Sequence, residues 1–104
     1  MNKRELVDSV IEQTGWSRRE SEEAVESVLN AVMDAVASGE KVSLTGFGTF
    51  EKRVRAAREA RNPQTGETIK LKKTNVPAFK AGSTFKNYVA MSKKDQKSFK
   101  ASRG

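Results

Sequence analysis

Apolar positions near the start of the chain recur with the period of a helix. Leu6, Val7, Val10 and Ile11 fall at the spacing that turns one helical face toward a core. Asn2 followed by Glu5 has the form of a capping box, in which each side chain satisfies a free backbone N–H. Gly15 is a natural stop, and Ser17 with Glu20 repeats the start signal. Ala24, Val25, Val28, Leu29, Val32 and Val36 then form a single stripe over about three and a half turns, before a stop at Gly39. The first forty residues therefore predict two helices joined by a short turn.

After Gly39 the pattern changes to alternation. Val42 and Leu44 precede Gly46 and Gly48, and the pattern continues through Phe50 and Val54, as expected for two strands about a tight turn. The second strand is expected to run on to Asn62 and to return through "ETIKLKKTNV". Pro63 fits the second position of the reversal between them, and Gly66 can take positive φ. From Lys52 to Arg61 such a strand would reach about 30 Å at ~3.3 Å per residue. With only scattered apolar groups, it is expected to project as a two-stranded arm spanning about residues 52–75. Phe79 is placed to pack beside Phe47 and Phe50, and Gly82 or Ser83 can cap a last helix containing Phe85 and Val89. From Ser92 the chain is polar and basic without apolar periodicity, so residues 92–104 are expected to be a disordered tail. The fold class is α+β: a helical-hairpin base, a small antiparallel sheet and a long ribbon arm. One small chain leaves the stripe and the phenylalanines underused, and an intertwined homodimer is the simplest way to cover them.

Charge changes the picture. Of 104 residues, 20 are Lys or Arg and 13 are Asp or Glu, for a net +7. The first forty hold four basic and nine acidic residues, a net of −5. The remainder hold sixteen and four, a net of +12. Such asymmetry points to a polyanionic partner. The stretch 50–73, "FEKRVRAAREARNPQTGETIKLKK", concentrates it, with eight Lys or Arg against three Glu. Arg53 and Arg55 share a strand face, whereas Arg58 and Arg61 break the alternation, so the arm must twist or bulge if all four are to meet one partner. Lys70, Lys72 and Lys73 add charge on the return strand. Composition alone fits two readings equally: a solvated charged hairpin with an ordinary turn proline, or a basic ribbon laid along an anion.

Several other chemistries are excluded or disfavoured. The chain has no Cys and no His, which removes disulfides, thiolate metal sites and the usual general base near neutral pH. No catalytic, metal or cofactor site is expected. The acidic residues lie mainly on the helical base, which argues against a nuclease built on clustered carboxylates. The Gly-Phe-Gly turn lacks the further glycine and lysine of a phosphate-cradling loop. A base-reading helix-turn-helix is disfavoured because the second helix carries Glu20, Glu22, Glu23, Glu26 and Asp34, which phosphate would repel. Trp16 and Met33 read as core or interface fillers. Neither a signal peptide nor a membrane span is expected, nor is a basic amphipathic helix with an aromatic face for a membrane surface.

The segment "GFGTFEKRVRAAREARNPQT", Gly46–Thr65, resembles the signature of the bacterial histone-like HU and integration host factor family: a Gly-Phe pair, spaced arginines, then Asn-Pro-x-Thr. The likeness extends over residues 1–91, including "MNKRELVDSVIEQTG" and "VPAFKAG". It implies an intertwined dimer whose two arms embrace and bend double-stranded DNA in the bacterial nucleoid of the cytoplasm. The family uses apolar wedges in the minor groove, and its arm arginines correspond to Arg53, Arg55, Arg58 and Arg61. Its intercalating proline corresponds to Pro63, flanked by Asn62 and Gln64. Lys3, Lys80 and Lys86 match its basic positions on the DNA-facing body. The resemblance implies a nonspecific architectural protein, with a sequence-preferring subunit of the integration host factor kind as the alternative, and it leaves RNA open as a second partner. Two departures stand out: Ala81 where many relatives carry proline, and the basic tail beyond Met91, for which extra nonspecific affinity for DNA is the expected role and an inert end the alternative.

Overall fold

A computed structural model describes residues 1–103. They fall into two compact units, Met1–Ala35 and the residues from Val36 onward. In the first unit, α1 (Lys3–Thr14) begins at the expected capping box: the Glu5 N–H donates to Asn2 Oδ1 at 2.9 Å, and the Asn2 N–H to Glu5 Oε1 at 3.4 Å. It ends at Gly15, whose φ of +75° lets its N–H return to the Ile11 carbonyl at 2.8 Å. The next helix, α2 (Arg18–Ala37), starts on the reciprocal pair Ser17 and Glu20. Val7, Ser21 and Val25 are buried in this unit. Two ion pairs bridge the helices, Arg18 to Asp8 at 2.5 Å and Lys3 to Glu26. Because these pairs are half-exposed they add little, and the valines hold the hairpin by leaving water.

The apolar stripe of α2 divides. Val25 and Val36 are buried, whereas Val28 and Met33 are each 60% exposed and Leu29 is 41% exposed. Val28 and Leu29 of the stripe, and Met33 next to them, thus lie open on this chain.

In the second unit, β1 (Val42–Leu44), β2 (Gly48–Arg55), β3 (Arg58–Arg61), β4 (Thr68–Leu71) and β5 (Thr74–Ala81) precede α3 (Ser83–Ala90) and α4 (Lys93–Ser102). The antiparallel order is β1-β2-β5, and β3-β4 form a separate two-stranded ribbon. Directly paired residues share a sheet face. The pairs Val42↔Phe50, Leu44↔Gly48 and Phe50↔Phe79 therefore make one face apolar. Phe47 and Phe85 of α3 join it, with ring centroids 4.7 Å apart for Phe50–Phe79, 5.4 Å for Phe47–Phe79 and 5.2 Å for Phe47–Phe85. Gly48 is required by close approach: a Cβ there would stand 2.5 Å from the Phe79 ring and 2.6 Å from the Lys80 carbonyl oxygen.

Two expectations are corrected. The long strand is not continuous, because the β2–β5 ladder stops at Arg55↔Thr74 and the β3–β4 ladder starts at Arg58↔Leu71. Ala56 and Ala57 on one side, and Lys72 and Lys73 on the other, belong to neither ladder. Two alanines offer no β-branched surface to pack, and adjacent lysines repel, so neither side favours pairing. The tail is also not disordered over residues 93–102, which form α4. Ser92 caps it by accepting the Asp95 N–H at 3.3 Å, and Phe99 packs on Tyr88 of α3 at 4.7 Å.

Candidate nucleic-acid interface

The sheet face opposite the phenylalanines is polar and basic. On β2 it carries Thr49, Glu51, Arg53 and Arg55, and on β5 their direct partners Lys80, Ala78, Val76 and Thr74. Arg53, Arg55 and Lys80 are exposed. Strand alternation thus sorts the sequence into a core side and a cationic side, placing three of the expected site residues together. Thr49 and Thr74 add hydroxyl donors to this face; the sequence reading passed over them, although the same alternation marks them.

Not every cation is free. The Glu51 carboxylate accepts a hydrogen bond from Arg53 Nε at 3.2 Å and stands 3.1 Å from its Nη2, and Lys41 Nζ stands 3.6 Å from its other oxygen. Lys52, on the other face, donates to the Ala37 carbonyl at 3.1 Å. That places a cation at the end of α2 where unpaired carbonyls collect. Lys3 belongs to the first unit, where its ammonium pairs with Glu26. Lys86 is exposed on α3.

On the ribbon, Arg58 pairs with Leu71 and Ala60 with Ile69 on one face. Glu59 pairs with Lys70 and Arg61 with Thr68 on the other. Arg58 and Arg61 therefore point to opposite sides of the ribbon, and the register between them is unbroken, so the ladder has no bulge that would bring both to one side. Arg58, Arg61, Lys70, Lys72 and Lys73 are all exposed.

The tip is built by its own sequence. Asn62 Oδ1 accepts the Gln64 N–H at 2.9 Å across Pro63, closing an Asx-turn. The Asn62 carbonyl accepts the Gly66 N–H at 2.8 Å, and the Asn62 N–H reaches the Glu67 carbonyl at 2.8 Å. Gly66 takes the φ of +73° that this reversal requires. Asn62 is half-buried and committed to the turn, while Pro63 and Gln64 are exposed at its outside. Pro63 presents an apolar ring with no N–H to satisfy.

Elsewhere, the Arg18 guanidinium is held still more firmly protonated by its hydrogen bond to Asp8 and by that carboxylate's charge. Among the described residues no group of acidic side chains could hold a metal ion, and no helix is long and apolar enough to cross a membrane.

The family described as bacterial DNA-binding protein matches residues 1–90. DNA-binding protein HU of Lactococcus lactis is 54% identical over 88 residues, covering 85% of this chain and 97% of the relative. DNA-binding protein HU 2 of Streptomyces coelicolor is 52% identical over 94 residues, covering 90% of this chain; the chain spans 43% of that longer protein. Among solved structures, an Anabaena HU–DNA cocrystal structure superposes with a TM-score of 0.82 at 46% identity, covering 88% of this chain and all of that one. With its α+β fold, its aromatic sheet face and its basic ribbon, the chain belongs to the HU family of bacterial DNA-binding proteins.

Proposed function

We propose that the chain is an architectural protein of the bacterial nucleoid that binds duplex DNA largely without regard to sequence and bends it. The observation that carries this reading is the sorting of the β2–β5 ladder, with phenylalanines on one face and Arg53, Arg55 and Lys80 on the other, continuing into a ribbon that ends in an exposed proline. The Anabaena relative solved together with DNA supports it.

Phosphate is the first contact. Exposed arginines and lysines displace condensed counterions from the duplex, which gives affinity without base reading. Arginine suits the narrow minor groove because its planar head is weakly hydrated and donates several hydrogen bonds. Arg55, Arg58 and Arg61, with Lys70, Lys72 and Lys73, supply this charge along the ribbon; Asn62 shapes the tip, and Gln64 offers its amide beside Pro63. Pro63 then enters between two base pairs as a wedge, a device for which HU and integration host factor proteins are themselves the type examples. Lys3, Lys80 and Lys86 extend the contact over the body. Residues 1–91 form the DNA-bending domain, with an arm over about residues 52–75.

The working unit is a homodimer. Val28, Leu29 and Met33 on α2, Phe47 in the turn before β2 and Phe79 on β5 are 41–60% exposed on one chain. Covering such a surface is what a two-fold partner does. Competition between straight, kinked and scrambled duplexes at several salt concentrations tests the function. Affinity is expected to fall about 10³–10⁵-fold between 50 and 200 mM salt for ~6–10 neutralised phosphates, with kinked duplex preferred and scrambling tolerated. A flat salt response, or strong dependence on scrambling, contradicts the reading.

A further inference from the structure

The segment after Met91 is folded in a way that the DNA-binding reading does not use. Gln96 turns its side-chain amide back onto α3, with Nε2 at 3.1 Å from the Tyr88 carbonyl, 3.2 Å from Met91 and 3.4 Å from Val89. The Val89 and Tyr88 carbonyls lie in the last turn of α3, where intrahelical donors run out, and the Tyr88 carbonyl also accepts the Met91 N–H at 3.2 Å. Phe99 stacks on Tyr88 at 4.7 Å, and the Arg103 guanidinium stands 5.4 Å and 5.9 Å from the two ring centroids, within cation–π reach. Gln96, Phe99 and Arg103 therefore fix one side of α4 to α3.

A different side holds charge. Lys93, Lys97 and Lys100 recur at i, i+4 and i+7 and are exposed, with Lys94 beside them. Asp95 is the one acidic residue of α4. Over the ~10 Å that seven helical residues span, a duplex presents about six phosphates, enough for all three lysines of the row.

We infer that α4 is a second contact for the phosphodiester backbone of duplex DNA, independent of the arm and held ready by its docking on α3. The inference rests on the DNA-binding reading. A lipid surface fits less well, because the apolar residue an interfacial helix would insert, Phe99, is already engaged by Tyr88 and Arg103. The docking also separates α4 from a loose cationic tether. An ordered row of lysines has less freedom to lose on binding than the same charges on a disordered segment.

Two variants of the full chain test this, read by anisotropy of a labelled duplex across a salt series. In the first, Lys93, Lys97 and Lys100 are all replaced by Gln, which preserves helix propensity. Its salt slope should be shallower by about 2–3 for each chain engaged, with affinity near 100 mM salt about 10- to 100-fold lower. The second, Phe99→Ala, leaves net charge unchanged but releases α4. Its affinity should fall by about 3-fold or more, with circular dichroism showing a helix loss no larger than α4. If the lysine variant keeps the parent's affinity and slope while the parent binds duplex, the second contact is overturned and the arm reading stands. If Phe99→Ala releases α4 yet binds as the parent does, preorganisation is overturned. A parent chain without duplex affinity overturns both readings.

Discussion

Glu51 gives the sharpest test of which cations meet DNA. It sits on the basic face of β2, two residues before Arg53, and holds both Arg53 and Lys41. A phosphate that takes Arg53 has to displace this carboxylate, so Glu51 acts as a built-in competitor. Unit charges about 3 Å apart attract by ~1.4 kcal/mol at the dielectric of water. The Arg53 side chain is 59% exposed, and screening reduces the pair to ~0.2–1 kcal/mol. Glu51→Gln keeps the shape and removes the charge. Stability should therefore fall by less than ~1 kcal/mol, while duplex affinity rises by about 1.4- to 5-fold. The salt slope should steepen by up to ~0.9 as one more cation becomes available for phosphate. Anisotropy titrations from low to moderate salt read affinity and slope, and urea denaturation reads stability. Unchanged affinity and slope alongside a measurable loss of stability would show that Arg53 does not meet phosphate. A fall in affinity would show that Glu51 positions Arg53 rather than competing for it.

Two further outcomes concern the scaffold. Gly48→Ala puts a methyl group 2.5 Å from the Phe79 ring and 2.6 Å from a backbone oxygen. It should cost ~1–3 kcal/mol and lower the melting temperature by about 4 °C or more; an unchanged melting curve contradicts the packing described. Sedimentation at micromolar concentration should show twice the chain mass of 11.5 kDa, and a well-folded monomer there would refute the dimer.

Much of this was legible in the sequence because the signals are local. Asn2 with Glu5 and Ser17 with Glu20 each fix a helix start within four residues. Alternation along β2 sets Phe50 on one face and Arg53 and Arg55 on the other, whereas Phe47 joins the apolar face from the turn before β2, out of step with that alternation. What escaped depends on partners distant in sequence or on missing side chains. The ladder breaks at Ala56 and Ala57 because nothing there rewards pairing, an absence that a run of strand-like residues conceals. The helix α4 has a single aromatic residue and an amide where periodicity would call for apolar groups, and its order comes from the Tyr88 ring and the carbonyls at the end of α3. The engagement of Arg53 by Glu51 was readable, since residues two apart in a strand share a face. So was the Asx-turn, since Asn-Pro favours it, and it commits Asn62 to building the tip.

Pro63→Ala isolates the proposed step in which the arm bends DNA through the residue at its tip. The substitution keeps every charge, and the Asx-turn bond from Gln64 to Asn62 does not need the ring. Unstacking a base step costs a few kcal/mol, and a rigid apolar wedge offsets this by filling the gap. Energy transfer between dyes at the two ends of a short duplex, measured at saturating protein, reads the bend directly. The variant should retain most of the parent's affinity for straight DNA and its salt slope, while end-to-end transfer drops toward that of free duplex and the preference for kinked DNA is lost. Transfer equal to the parent's would mean that Pro63 only forms the turn and that the bend arises elsewhere.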